Sequence, residues 1–140
     1  MLSACKAIID INGIGKYDII ECEYSFSQSI DQTGKPSSRA TGGIINVVLE
    51  TTEDTSSLAH WMLSESDMKS GSLNFTLSNE KQKVVSFSEG ICVGYHEYFN
   101  MRDVDVETNK PSMLLKLSIT AKEITIGSAT FTNKWKDLKL

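Results

Sequence analysis

Ile20-Glu21-Cys22-Glu23-Tyr24-Ser25-Phe26-Ser27 alternates apolar and polar side chains without a break. Successive side chains of a strand point to opposite faces, so a period of two marks a strand with one face buried and the other solvated. The alternation sets Ile20, Cys22, Tyr24 and Phe26 against Glu21, Glu23, Ser25 and Ser27. Upstream, Cys5, Ala7, Ile9 and Ile11 repeat the pattern, and Asn12-Gly13-Ile14-Gly15 supplies turn chemistry between the two runs. Together they read as a β-hairpin.

The same period continues along the chain. Ile45, Val47 and Leu49 share one face of a strand over Ile44 to Thr51, and Leu73, Phe75 and Leu77 share one face of another. After the turn Asn79-Glu80-Lys81-Gln82, a long run places Val85, Phe87, Ile91, Val93, Tyr95 and Phe99 on one parity, interrupted by Glu89. A bulge or bend is expected at Ser88-Glu89-Gly90. Met113, Leu115, Leu117, Ile119 and Ala121 form one more face, and Ile124 and Ile126 then take the other parity. That switch predicts a bulge or register change near Lys122-Glu123, because a slip of one residue turns side chains to the opposite face. Thr130-Phe131-Thr132 adds a short strand before Trp135.

One segment breaks the period. Leu58, Trp61 and Met62 fall at i, i+3 and i+4, the spacing of a single helical face. Asp54, Thr55 or Ser56 caps the start, and the helix to about Glu65 spans about 15 Å. A helix this short is marginal alone and must dock on the sheet through those three residues. His60, beside the stripe, reads as a boundary or surface residue, and His96 sits on the polar parity of its strand.

The longest early interruption is Asp31 to Gly43, thirteen residues rich in polar side chains, Gly and Pro. Hairpin loops usually run about 2–5 residues, and long loops in compact domains tend to carry function. Gly34-Lys35 is followed by Pro36, so the segment lacks the Ser or Thr and the helix that a P-loop requires.

A length of 140 residues fits one domain over residues 1–140, able to keep a core without metals or disulfides. The net charge of -4 argues against nucleic acid as a partner, since binding its backbone needs basic patches. The basic run from Lys134 to Lys139 reads as a solvated tail. Three cysteines, Cys5, Cys22 and Cys92, with no C-x-x-C, fit buried free thiols in a reducing compartment and neither a disulfide framework nor a zinc site. No stretch approaches the ~20 apolar residues of a membrane helix, and Met1 to Lys6 lacks a signal-peptide pattern. The protein is therefore expected to fold in the cytoplasm and, if exported, to leave without a cleavable signal.

Catalytic constellations are missing. Neither His60 nor His96 sits in a hydrolase motif, and neither G-x-S-x-G nor H-E-x-x-H occurs. Glu21 and Glu23 can align on a strand face, yet nothing in their spacing singles them out as paired glycosidase carboxylates. Asp103-Val104-Asp105-Val106-Glu107 lacks the glycine and the final glutamate of an EF-hand loop and reads as an acidic surface loop. No cofactor, no metal and no enzymatic activity is expected.

Several segments, in order, resemble the Hcp (TssD) family of type VI secretion tube proteins, particularly its Bacteroidota branch. They are Cys22 to Gln28, Asp31 to Ser38 with Gly42-Gly43, Leu58 to Met62 before Lys69-Ser70-Gly71, Phe87-Ser88-Glu89-Gly90 leading to Tyr95, Glu97 and Phe99, and Ile119 to Ile124 followed by Gly127 and Trp135. The resemblance implies a mainly β fold, a closed β-barrel of two packed sheets with one flanking α-helix. It implies a homo-oligomer, hexameric rings that stack into a tube inside a contractile sheath and are expelled with a spike, with effectors in the lumen. It also places a ring-stacking loop at Asp31, Thr33, Gly34, Lys35, Pro36, Ser37, Ser38, Arg39, Gly42 and Gly43. Nothing is carried over onto Met101 to Pro111. Two readings from other classes stand beside it: a small-ligand-binding β-barrel and a β-rich enzyme. The tube protein of a phage-tail-like injection particle is a nearer alternative, related to the Hcp reading itself.

Overall fold

The computed structural model describes residues 6–51, 54–65, 67–104 and 111–135. Seven strands and one helix follow in the order β1 (Lys6–Ile11), β2 (Gly15–Ser27), β3 (Thr41–Thr51), α1 (Ser56–Leu63), β4 (Lys69–Thr76), β5 (Gln82–Val104), β6 (Pro111–Ile126) and β7 (Ala129–Thr132). All pairings are antiparallel, in the order β3-β2-β1-β4-β5-β6-β7. β3 also pairs with β6, so β1 to β6 close into a barrel and β7 extends β6 beyond the end of β3. What the family resemblance implied as two packed sheets is thus one sheet closed on itself, an arrangement that removes exposed strand edges.

Alternation builds the seam. Ile45 opposes Ile119, Val47 opposes Leu117 and Leu49 opposes Leu115, and all six side chains are buried. Each fully buried aliphatic contributes about 1.5–3 kcal/mol, so this ladder fixes the register as well as the closure. Ile9 and Ile11 of β1, Leu73 of β4 and Val85 and Phe87 of β5 complete the interior.

Simple alternation is corrected in β2 and β5. In β2 a register shift between Ile19 and Glu21 sends Ile19 toward the core and leaves Ile20 half exposed, against the expected inward face of Ile20. Cys22 and Tyr24 then pack inward as expected, and a second shift leaves Phe26 against the ring of Phe131, centroids 4.9 Å apart. In β5, Glu89 adopts a left-handed φ of 49°, uncommon for a residue other than glycine.

At Glu89, β5 and β6 switch parity together. Phe87 and Ile124 face inward on one side of the kink, Gly90 and Ala121 on the other, while the register between the strands is unchanged. The parity switch read near Lys122-Glu123 is this kink, but the bulge or register change expected there is absent, because the pairing keeps one register on both sides and shifts only between Cys92 and Gly94. The kink's consequence for β5 was not foreseen: Cys92 is buried in place of Ile91 and Val93, and Val93 is half exposed. Phe99 is likewise exposed at 48%.

Helix α1 ends at Leu63, two residues before the expected limit. Leu58 and Trp61 are fully buried and Met62 packs partly against the core, so the predicted face docks as read. Asp54 accepts a hydrogen bond from the Ser56 amide at 2.9 Å, and Thr55, the N-cap, makes no side-chain cap bond. Instead Thr55 donates to Glu97 at 3.1 Å, and the Tyr95 hydroxyl lies 3.0 Å from Thr55 Oγ1 and within reach of the same carboxylate. Trp61 Nε1 donates to the Asp67 carbonyl at 2.8 Å. Lys69-Ser70-Gly71, which ends the helical region in the sequence, already belongs to β4.

Candidate functional site

Ser27 ends β2 and Thr41 begins β3, so the long insertion is an arm of residues 28–40 at one end of this ladder. Every residue of the arm is exposed, yet the arm is ordered by its own bonds. Ile30 and Pro36 form an antiparallel bridge, Asp31 donates its amide to the Lys35 carbonyl at 2.8 Å, and Ser37 donates to the Ser29 carbonyl at 2.8 Å. Ser29 in turn donates its amide to Ser38 Oγ at 2.9 Å. The tip is tied to one carboxylate: Asp31 Oδ1 accepts from the Thr33 amide at 2.8 Å, the Thr33 hydroxyl at 2.7 Å and the Lys35 amide at 3.0 Å. Gly34 takes a φ of +86° with nothing near its missing Cβ, and its freedom serves the turn itself.

The hydroxyl of Thr33, then the Lys35 and Thr33 amides, hold the Asp31 carboxyl below its ordinary value of 3.8. A depressed folded-state value means that the carboxylate supports the tip fully above the unfolded value and stops doing so as pH falls through the folded one. Amide protection at Thr33 and Lys35 is therefore expected to hold from neutral pH down through about pH 4, the ordinary carboxylate range, and to be lost only as pH falls further, through the lowered folded-state value. Hydrogen exchange resolved by residue checks this; loss of protection already at about pH 6 would contradict it, and Asp31→Asn should weaken protection at every pH.

Of the loop residues implied by the resemblance, Asp31, Thr33, Gly34, Lys35, Pro36, Ser37, Ser38 and Arg39 come together in the arm. Gly42 and Gly43 do not, because both lie in β3. Gly43 is buried with φ +88°, and a Cβ there would stand 2.2 Å from Asn133 Nδ2 and 3.0 Å from the Ala121 carbonyl. Asn133 clamps this corner: its side chain donates to the Ala121 carbonyl and its amide to the Lys122 carbonyl, each at 2.7 Å. Gly43 thus serves the closure of β3 on β6. Leu58, Trp61 and Met62 lie apart from the arm, under the helix.

The outer face of β2, β3 and β6 is a second exposed surface. The buried row Cys22, Val47 and Leu117 is flanked outside by the rows Glu21, Val48, Lys116 and Glu23, Asn46, Ser118. A shallow concavity of ≈ 570 Å³ opens over these rows. Ser118 Oγ donates to Asn46 Oδ1 at 2.6 Å. Sequence reasoning left this face unassigned; alternation marks its residues as outward without saying that they form one surface. Glu21 and Glu23 are both exposed here.

Cys22 and Cys92 are free thiols, each pushed up to about 11, Cys22 by burial and then by the Glu23 charge, Cys92 by burial. Neither is a thiolate nucleophile at neutral pH. Cys22 is half-buried where full burial was expected, and Cys5 lies outside the described residues. His60 and His96 are exposed. Among the described residues no three His, Cys, Asp or Glu side chains converge to hold a metal ion. Asp105 to Glu107 and most of the basic tail, residues 136–140, lie outside the described residues.

The profile of the family Hemolysin coregulated protein Hcp (TssD) matches residues 3–136. The structure of Hcp1 from Flavobacterium johnsoniae is similar at 27% identity and a TM-score of 0.75, covering 91% of this chain and 99% of that one. Hcp1 from Salmonella typhimurium shares the fold at 12% identity and a TM-score of 0.63, covering 93% of each chain. A chain of the sheath-tube complex of an extracellular contractile injection system, PVC, also shares it, at 11% identity and a TM-score of 0.53, covering 92% of this chain and 93% of that chain. No curated protein matches.

Proposed function

The chain belongs to the Hcp (TssD) family, structural tube subunits of type VI secretion and not enzymes, and on that premise we propose that its arm joins one hexameric ring to the next. The observation that carries this reading is an arm of residues 28–40 that is ordered by its own hydrogen bonds while wholly exposed. A segment that contributes nothing to its own core, yet is held in one shape, is prepared for a partner surface at little ordering cost. Ile30 is 65% exposed, an apolar side chain that a neighbour would cover. Lys35 and Arg39 form no ion pair among the described residues.

In this reading the chain folds in the cytoplasm, closes into rings by a head-to-tail contact, and stacks inside a sheath. The tube leaves the cell with a spike, without a cleavable signal, and carries effectors in its lumen. Replacing Thr33 to Arg39 with a Gly-Ser linker should leave single rings intact and abolish stacking and secretion. Electron micrographs and export assays check this; normal tubes from the shortened chain would move the stacking role elsewhere.

A further inference from the structure

We propose that the arm of one subunit seats on the outer face of β2 and β3 of a second copy, on a patch made by Ile20, Glu21, Val48 and Glu50. The inference rests on the reading that rings stack through the arm, and adds the surface that receives it.

The patch follows from the bulge in β2. The shift between Ile19 and Glu21 turns Ile20 outward, 50% exposed, beside Val48, which is the cross-strand partner of Glu21. Glu50 lies two residues beyond Val48 on the same face of β3 and is exposed, as Glu21 is. A small apolar spot is thereby flanked by two carboxylates, neither in an ion pair among the described residues. The ≈ 570 Å³ concavity opens over Glu21 and Val48.

The arm carries the complement. Ile30 is its exposed apolar side chain, and Lys35 and Arg39 are its cations. Its one acid, Asp31, is occupied by Thr33 and the Lys35 amide. Position agrees with charge. Val48 lies seven residues along β3 from Thr41, so about 23 Å from the arm's base at ~3.3 Å per residue. In a stack of like-oriented rings, the arm end of one ring meets the remote end of the next. An arm limb of about six residues reaches about 20 Å, enough to cross the junction. Lys116, which pairs with Val48 from β6, would hold the arm's cations toward the β2 side.

The test is reciprocal charge reversal. Lys35→Glu with Arg39→Glu should leave rings intact and abolish their stacking, and so should Glu21→Lys with Glu50→Lys. Combining all four should restore tubes, and zero-length carbodiimide cross-linking of wild-type tubes should join Lys35 to Glu21 or Glu50 of another subunit. Ring formation in each variant, seen in micrographs, reports that it has folded. Tubes that survive either reversal, a fourfold variant that forms rings but never tubes, or reversals that open the ring itself would overturn the inference. If wild-type rings never stack, or if the Gly-Ser arm still stacks, the stacking reading fails first. Loss of stacking on shortening the arm, without rescue by the fourfold variant, would refute the proposed surface alone.

Discussion

Trp61→Ala is expected to destabilise the fold by about 3–5 kcal/mol, a large share of the about 5–15 kcal/mol that holds a typical domain. Trp61 is 1% exposed, packs with Leu58 under the sheet, and donates its indole N–H to the Asp67 carbonyl at 2.8 Å. Truncation empties the largest fully buried side-chain volume and leaves that carbonyl without its donor. Helix α1 has eight residues and would not persist undocked, so its link to β5 through Thr55, Tyr95 and Glu97 would loosen with it. Denaturant midpoints at equal protomer concentration check the effect, because ring formation makes apparent stability concentration-dependent. Leu63→Ala, at a residue 80% exposed on the same helix, should stay within about 0.5 kcal/mol of wild type. A Trp61→Ala protein that melts within a degree or two of wild type would refute the docking face.

Gly43→Ala is expected to cost about 2 kcal/mol or more and to lower the yield of folded protein, with no selective effect on stacking. Two costs combine. A left-handed backbone at φ +88° disfavours any Cβ, and the added carbon would stand 2.2 Å from Asn133 Nδ2 and 3.0 Å from a backbone carbonyl of β6. Asn133 cannot retreat without giving up its bond to that carbonyl. Gly34→Ala separates the two: its φ is +86°, but nothing lies within 4 Å, so only the backbone cost remains, confined to an exposed turn. Thermal melts of the two variants check the difference. Equal melting temperatures would mean that the corner at Asn133 yields freely.

The strands were legible because a half-buried strand writes its burial into its own alternation. Leu115, Leu117, Ile119 and Ala121 were read as one face and are all buried. The helix face was legible for the same reason at a different period. Parity changes were legible only in part. Glu89 and the switch from Ala121 to Ile124 announced a kink, but the fate of Val93 depends on both strands turning together, which no single run of residues contains. The bulge that exposes Ile20 left no signal at all, because Ile19 and Ile20 are both apolar and either fits the alternation. Gly42 and Gly43 looked like loop residues because glycine after a polar stretch usually is one; the need for Gly43 comes from Asn133, far away in sequence. The arm's polarity was plain in the sequence, whereas its order rests on Asp31 reaching two amides and a hydroxyl at once.

The central claim is that this barrel is a ring-forming tube subunit. Electron micrographs of the purified protein, paired with light scattering at micromolar concentration, test it most directly. The account predicts closed rings of uniform diameter with six times the protomer mass; a strictly monomeric species, with no rings in any micrograph, would contradict it.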